Sequence, residues 1–403
     1  MAKAAKVKAV KLGHRELPRF TEAEFAHRVE RAKSLMTEHK LDGMLLSVEQ
    51  NIEYMSGFVS QFPWSSPSRP WYFIIDREGN GTGVIPEFGE TCWRGSSWAK
   101  TVLTWPSPRP ENEGIDLVAK AVSGIKRKFG RFGMEFGLES RLGTTMGDMM
   151  RIADAIRPFE AVDCIPVMRR LRYIKSAAEI AHIRRACTIG SDTFDAMAKF
   201  IADGDSESEI CRKFAAHALM LGADKVPFTA IGTGKGGYDS IVQGPSDRRV
   251  RKGDIVFLDT GVKYRGYFCD FDRNFALGEP PDEAKRLHAL LWRATEAGIK
   301  AAVPGNTAEG VFRAQAKVLE DAGIVLGNVG RMGHGLGKNM TEYPSNMLGD
   351  RTKLEVGTVL TIEPGAMFGK NKILVHEEDL VVTEDGPKLL TRRCAKEMPV
   401  VKV

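Results

Sequence analysis

Apolar residues recur every three or four positions over Thr21–His39, with Phe25, Val29, Ala32 and Leu35 near one face. Thr21 and Glu24 open the stretch at capping-box spacing, so it predicts a helix. The unbroken apolar run Leu41–Leu46 predicts a buried strand. Trp71–Ile75 and Gly83–Ile85 predict short strands around the turn Asp76–Gly81. Helices are predicted over Gly114–Phe129 and Met146–Ile156, and strands over Gly133–Leu138 and Phe159–Cys164. Helix and strand alternate, which predicts an α/β domain over residues 1–168.

From residue 169 the rhythm changes. Helices are predicted to start at the capping boxes Ser176–Glu179 and Ser206–Glu209, with strands following at Phe228–Gly232, Ile255–Leu258 and Tyr264–Phe275. Helices then recur at Asp282–Ala302 and Thr307–Ala322, and strands at Val359–Ile362, Ile373–Val375 and Leu380–Thr383. Two helices then strands, twice over, predict an internal duplication in an α+β domain over residues 169–403.

Composition narrows the class. The chain has 403 residues, 43% hydrophobic and 27% charged, which suits a globular protein and excludes wholesale disorder. The net charge of +6 owes much to Lys3, Lys6, Lys8, Lys11, Arg15 and Arg19, read as a solvated tail, since no nucleic-acid motif accompanies them. Six cysteines stand at spacings that suggest neither a zinc site nor a disulfide framework. They fit a cytoplasmic protein, with no signal peptide and no membrane span expected.

The candidate chemistry lies in acidic residues at strand ends. Asp259 ends Ile255–Leu258, and Asp270 follows eleven residues later. Glu363 ends Val359–Ile362, and Glu377 and Glu378 stand between two apolar runs. A carboxylate beside a core strand is expensive to bury unless paired or metal-bound. With His334 in Gly333-His-Gly-Leu-Gly337, the set suits divalent Mn, Fe, Co or Zn. Bridging carboxylates can hold two such ions about 4 Å apart and activate a shared water.

The order Asp259-Thr-Gly261, Asp270, His334, Glu363 and Glu377 resembles the aminopeptidase P, prolidase and methionine aminopeptidase group, the pita-bread metallohydrolases. Asn51-Ile-Glu-Tyr-Met-Ser-Gly57 is similar to the N-terminal domain of the creatinase and prolidase branch. Leu171–Ser176 with Glu179 resembles its entry into the catalytic domain, and Thr361-Ile-Glu-Pro-Gly365 matches a catalytic motif. The resemblance implies a pita-bread catalytic domain and hydrolysis of an amide-type C–N bond in a dipeptide or other small substrate. It implies two divalent ions: Asp259 on one, Asp270 and Glu377 bridging, His334 and Glu363 on the other. Glu363 would also be the general acid/base. A homodimer without nucleic-acid or membrane partners is expected.

The chain departs from this pattern in its substrate residues. The peptidases' two further histidines correspond to Val242 and Thr341, and an arginine common in the group corresponds to Val375. These changes point to a specialised substrate on the same fold. Ectoine- or creatine-type hydrolysis and dimethylsulfoniopropionate-type elimination are the alternatives, and a non-catalytic binding protein is the alternative of another class. Thr341 lines the pocket or serves as turn chemistry. Asp272 pairs with Arg273 or meets a substrate ammonium. His376 substitutes for a lost histidine or, as strand alternation favours, faces away with a structural role. Trp64 and Arg69, in the aromatic segment Gln61–Trp71, pack in the core or contact substrate across a dimer. Glu378 is expected to face away from Glu377.

Overall fold

The structure is a computed structural model that describes residues 13–60, 62–65, 69–326 and 330–402. Lys3, Lys6, Lys8, Lys11 and Gln61 lie outside the described residues. The chain forms two compact units, one of Arg19–Arg172, the other from Tyr173 to the C-terminal end together with the segment ending at Pro18. Among the described residues no helix is long and apolar enough to cross a membrane.

The first unit holds strands β1 (Gly43–Leu46), β2 (Tyr72–Asp76), β3 (Gly81–Pro86), β4 (Thr101–Trp105), β5 (Arg131–Met134) and β6 (Glu160–Asp163). They form one mixed sheet in the order β4-β3-β2-β1-β5-β6. Met44, Leu46, Phe73 and Ile75 enter one core cluster, whereas Leu45, Tyr72 and Ile74 enter another. Side chains alternate along a strand, so both faces of this sheet are covered, which explains runs that are apolar without a break. The helix Glu49–Ser56 has no side-chain cap of its own. The buried Glu135 carboxylate takes that part, accepting from the Ser47 and Val48 amides at 2.7 and 2.9 Å. The helix expected over Gly114–Phe129 is shorter, Ile115–Ser123, and its C-cap is Gly124.

The second unit begins with two helices, Ala177–Phe200 and Glu207–Met220, each opened by a complete capping box. Strands β7 (Lys225–Lys235), β8 (Asp254–Tyr264), β9 (Tyr267–Phe268) and β10 (Phe271–Leu277) follow. The single strand expected over Tyr264–Phe275 is interrupted, because Arg265 and Gly266 both take positive φ, 51° and 79°, and turn the chain back on itself. Helices Asp282–Ala301 and Ala308–Glu320 come next. The last strands are β11 (His334–Gly335), β12 (Glu342–Ser345), β13 (Val359–Ile362), β14 (Gly365–Phe368), β15 (Lys372–Val375), β16 (Glu378–Thr383), β17 (Gly386–Leu389) and β18 (Val400–Val401). One sheet runs β18-β10-β8-β7 and another β12-β11-β13-β16-β17, so the order of two helices then a sheet occurs twice.

Candidate metal centre

The acidic residues come together because of strand register. In the antiparallel pair β8–β10, Asp259 stands opposite Asp272 and Thr260 opposite Phe271. Opposed residues share a face, and so do residues two apart, so Asp259, Asp272 and Asp270 all look one way. On the other sheet β13 pairs with β16, and the hairpin β14–β15 continues beyond a break. Glu363 occupies the break after β13 and Glu377 the break before β16. The His376 amide donates to the Pro364 carbonyl across this gap at 3.1 Å. His334 arrives on β11, beside β13. A Cβ at Gly333 would strike the Thr361 carbonyl, and its φ is +121°, so a glycine is needed to bring His334 this close.

Ligand atoms of Asp270, His334 and Glu377 all lie within 4.8 Å of one another, and all three residues are buried. His334 Nε2 is 3.5 Å from Asp270 Oδ2. His334 Nδ1 is 2.9 Å from the Gly335 carbonyl. A carbonyl only accepts, so Nδ1 carries the proton and Nε2 turns a lone pair toward the carboxylates. Burial, with help from the Arg331 charge, pushes the ring's pKa down to about 4, so it is neutral at pH 7.

The carboxylates shift the opposite way. Burial and the Glu363 charge raise Asp259 to about 8, and burial raises Glu363 to about 7. Asp270, Asp272 and Glu377 are raised well above the carboxylate range, first by burial and then by their negative neighbours. Asp259 and Glu363 keep partial contact with solvent. Asp259, Asp272, Glu377 and Asp379 each carry one buried side-chain oxygen without a hydrogen-bond partner. Such oxygens cost several kcal/mol unless a proton or cation completes them. Hard oxygen donors beside one neutral imidazole fit divalent metal ions.

The surroundings sort the remaining candidates. Asp379, which was not singled out in the sequence, accepts from the Asp270 amide at 3.0 Å and from the Cys187 thiol at 3.3 Å. Its signal was its place two residues after Glu377. Glu378 turns elsewhere, accepting from Arg273, Arg393 and the Cys394 amide at 3.1, 3.2 and 2.7 Å. Arg273 also donates to the Asp272 carbonyl, not to its carboxylate. His376 Nε2 is 2.8 Å from His288 Nδ1, and His288 Nε2 is 3.1 Å from the Ala395 carbonyl. That carbonyl makes His288 Nε2 a donor, so His376 donates to His288 through Nε2. The remaining His376 nitrogen is 3.6 Å from Cys394 Sγ. Both ring nitrogens of His376 therefore face structural partners.

The Thr341 hydroxyl lies 3.4 Å from an Arg331 amine nitrogen. Val242 is 80% exposed, and Val375 is buried. Trp64 and Arg69 belong to the first unit. There Trp64 packs against the core, and Arg69 lies 3.3 Å from Glu113.

Comparisons with known proteins identify the family. Residues 181–385 match the model of metallopeptidase family M24, and residues 28–174 that of the creatinase/prolidase N-terminal domain. An Xaa-Pro dipeptidase of Pyrococcus horikoshii is 28% identical over 91% of this chain and 97% of its own length. A probable dipeptidase, PepE, of Mycobacterium tuberculosis is 35% identical over 63% of this chain and 68% of its own. Among solved structures, dipeptidase PepE from Mycobacterium ulcerans superposes with a TM-score of 0.82 at 27% identity, covering 96% of this chain and all of that one. The prolidase from Pyrococcus horikoshii gives 0.79 at 27% identity, over 92% of this chain and all of its own. The chain belongs to metallopeptidase family M24, with a creatinase/prolidase-type domain ahead of its pita-bread catalytic domain.

Proposed function

We propose that this chain is a metal-dependent dipeptidase that cleaves the amide bond of small Xaa-Pro substrates. The observation that carries the reading is the convergence of Asp270, His334 and Glu377 within 4.8 Å, with Asp259 and Glu363 acting electrostatically on the same point. Asp259, Asp270 and Glu377 would hold one ion, and Asp270, Glu377, His334 and Glu363 the other. Bound divalent ions at such a site polarise a scissile carbonyl and acidify a water.

The protein's own groups supply the rest. Four carboxylates balance the charge of two divalent ions, so each can stay ionised despite burial. Glu363, at the partly exposed edge of the centre, is placed to take a proton from water and pass it to a leaving amine. His334, locked as a neutral acceptor, offers Nε2 without losing a proton first. Asp379 steadies the Asp270 backbone. Manganese is the ion we would supply first; iron, cobalt and zinc suit the same donors. Six free cysteines support a reducing, cytoplasmic setting.

The exposed Val242 and the Thr341 hydroxyl favour a second reading, a specialised C–N hydrolase acting on another small molecule. One assay separates the two. Protein loaded with Mn²⁺ is offered a panel of Xaa-Pro dipeptides beside cyclic amidines such as ectoine. Turnover of the dipeptides supports the first reading. No dipeptide turnover by a fully loaded chain would sink it.

A further inference from the structure

The Met332 carbonyl joins the metal centre to the helix Ala308–Glu320. It accepts from the Glu363 amide at 3.2 Å and from Gln315 Nε2 at 2.9 Å. Gln315 is fully buried on that helix, whose other buried residues are Ala308, Val311, Phe312, Ala316 and Leu319. A lone amide thus stands on an otherwise apolar face. Its Nε2 also reaches the Val311 carbonyl at 3.3 Å, and since both partners only accept, the nitrogen is the end that faces them. Its Oε1 is buried without a hydrogen-bond partner among the described residues. Packing alone would be served better by Leu or Met, which leave no oxygen unpaired. A Cβ at Gly298 on the preceding helix would strike both Gln315 Cγ at 2.7 Å and Ile362 Cγ2 at 2.6 Å. Gln315 is therefore held close beside the residue that precedes Glu363. The same segment carries the other ligand. The Met332 amide donates to the Asn346 carbonyl at 2.8 Å, and the Asn346 amide to the Gly333 carbonyl at 2.9 Å. The His334 amide donates to the Thr361 hydroxyl at 3.1 Å. One buried hydrogen-bonded patch carries both His334 and Glu363, and Gln315 ties it to the helix.

We propose that Gln315 is a positioning residue of the metal centre: by holding the Met332 carbonyl it fixes the spacing of His334 and Glu363, and so the affinity of the ion they share. This inference rests on the two-metal reading above. A carbonyl has two lone pairs, and here one serves Glu363 and the other Gln315. Without Gln315 the bond to the Glu363 amide remains, but no side chain of the helix fixes the Met332 peptide. Partners of this kind orient metal ligands, and losing one typically costs about 10–100-fold in metal affinity. The effect should be one-sided. Asp259 lies on β8 and Asp270 just before β10, and Asp379 accepts from the Asp270 amide, so that side of the pair is held without Met332.

The test titrates chelator-treated protein with Mn²⁺ by calorimetry, comparing wild type with Gln315→Met, which nearly keeps the volume and drops the amide. His334→Ala identifies the binding step that belongs to the ion shared by His334 and Glu363. In Gln315→Met that step is expected to weaken roughly 10–100-fold, with the other step within about twofold of wild type. Leu319→Ala opens a cavity on the same helix and removes no side-chain hydrogen bond, so it controls for general loosening and should leave both steps unchanged. Gln315→Asn, whose amide stops one methylene short of Met332, gives the same reading if Gln315→Met does not fold. An unchanged His334 step overturns the proposal while the two-metal reading stands. Equal weakening of both steps, or the same weakening in Leu319→Ala, also overturns it. If wild type binds no Mn²⁺, iron, cobalt or zinc, the two-metal reading itself fails, and Gln315 is left as a packing residue.

Discussion

Stripping the protein of divalent metal should make its stability fall as pH rises. Asp270, Asp272 and Glu377, raised well above the carboxylate range, act in this direction, and the part confined to pH 4 to 8 comes from Asp259, raised from 3.8 to about 8, and Glu363, raised from 4.5 to about 7. Between the ordinary and the raised value, an unfolded chain has lost the proton that the folded chain still holds. Stability then declines with pH at about 1.4 kcal/mol per pH unit for each group. For these two groups the decline begins near pH 4 and levels off once they have also ionised in the folded chain, at about pH 7 to 8. Glu363 alone would account for roughly 3 kcal/mol on this scale. Asp259 would account for more, but the two repel each other and titrate as a pair, and both retain some solvent. A combined loss of about 2–4 kcal/mol between pH 5 and 8.5 is a fair expectation. Metal should reverse the trend, because ions compete with protons for the same oxygens and bind better as pH rises. Urea unfolding of chelated and of Mn²⁺-loaded protein, across that pH range, measures both arms. Two parallel profiles would refute the reasoning, since they would mean that these carboxylates do not share a site with metal.

Three further outcomes are expected. Asp270→Ala should lose both of about two metal ions per chain, as read by elemental analysis of protein purified without chelator. Glu363→Gln should keep its fold and lower kcat by about 10²–10⁴-fold with a smaller change in KM; an unaltered kcat would remove Glu363 from the proton-transfer role. Glu378→Gln strips the half-buried Arg273 and Arg393 of the buried carboxylate they share. It should destabilise the chain by about 3–5 kcal/mol in denaturant titrations, yet leave the metal content of the folded fraction unchanged.

The contrast between Glu377 and Glu378 shows what the sequence could convey. Strand alternation alone separates them, and the structure puts Glu377 beside Asp270 and His334 and Glu378 against two arginines. Such local rules also reached the helix starts, where Ser176 and Ser206 accept from the amides three residues on. They failed where a distant partner decides the matter. The helix Glu49–Ser56 is capped by Glu135, far along the chain, so its start lacks a local signal. Asp272 next to Arg273 reads as an ion pair in one dimension. In the fold, β10 sends Asp272 to the centre while Arg273 reaches Glu378 on the far side. Asp379 was missed because its place two residues after Glu377 does not reveal its partners, the Asp270 amide and the Cys187 thiol, which come from other parts of the chain. Glu363 and Glu377 are legible because each stands in a break at a strand end, whereas Asp259, expected at a strand end, lies inside β8 and is marked only by its charge after an apolar run.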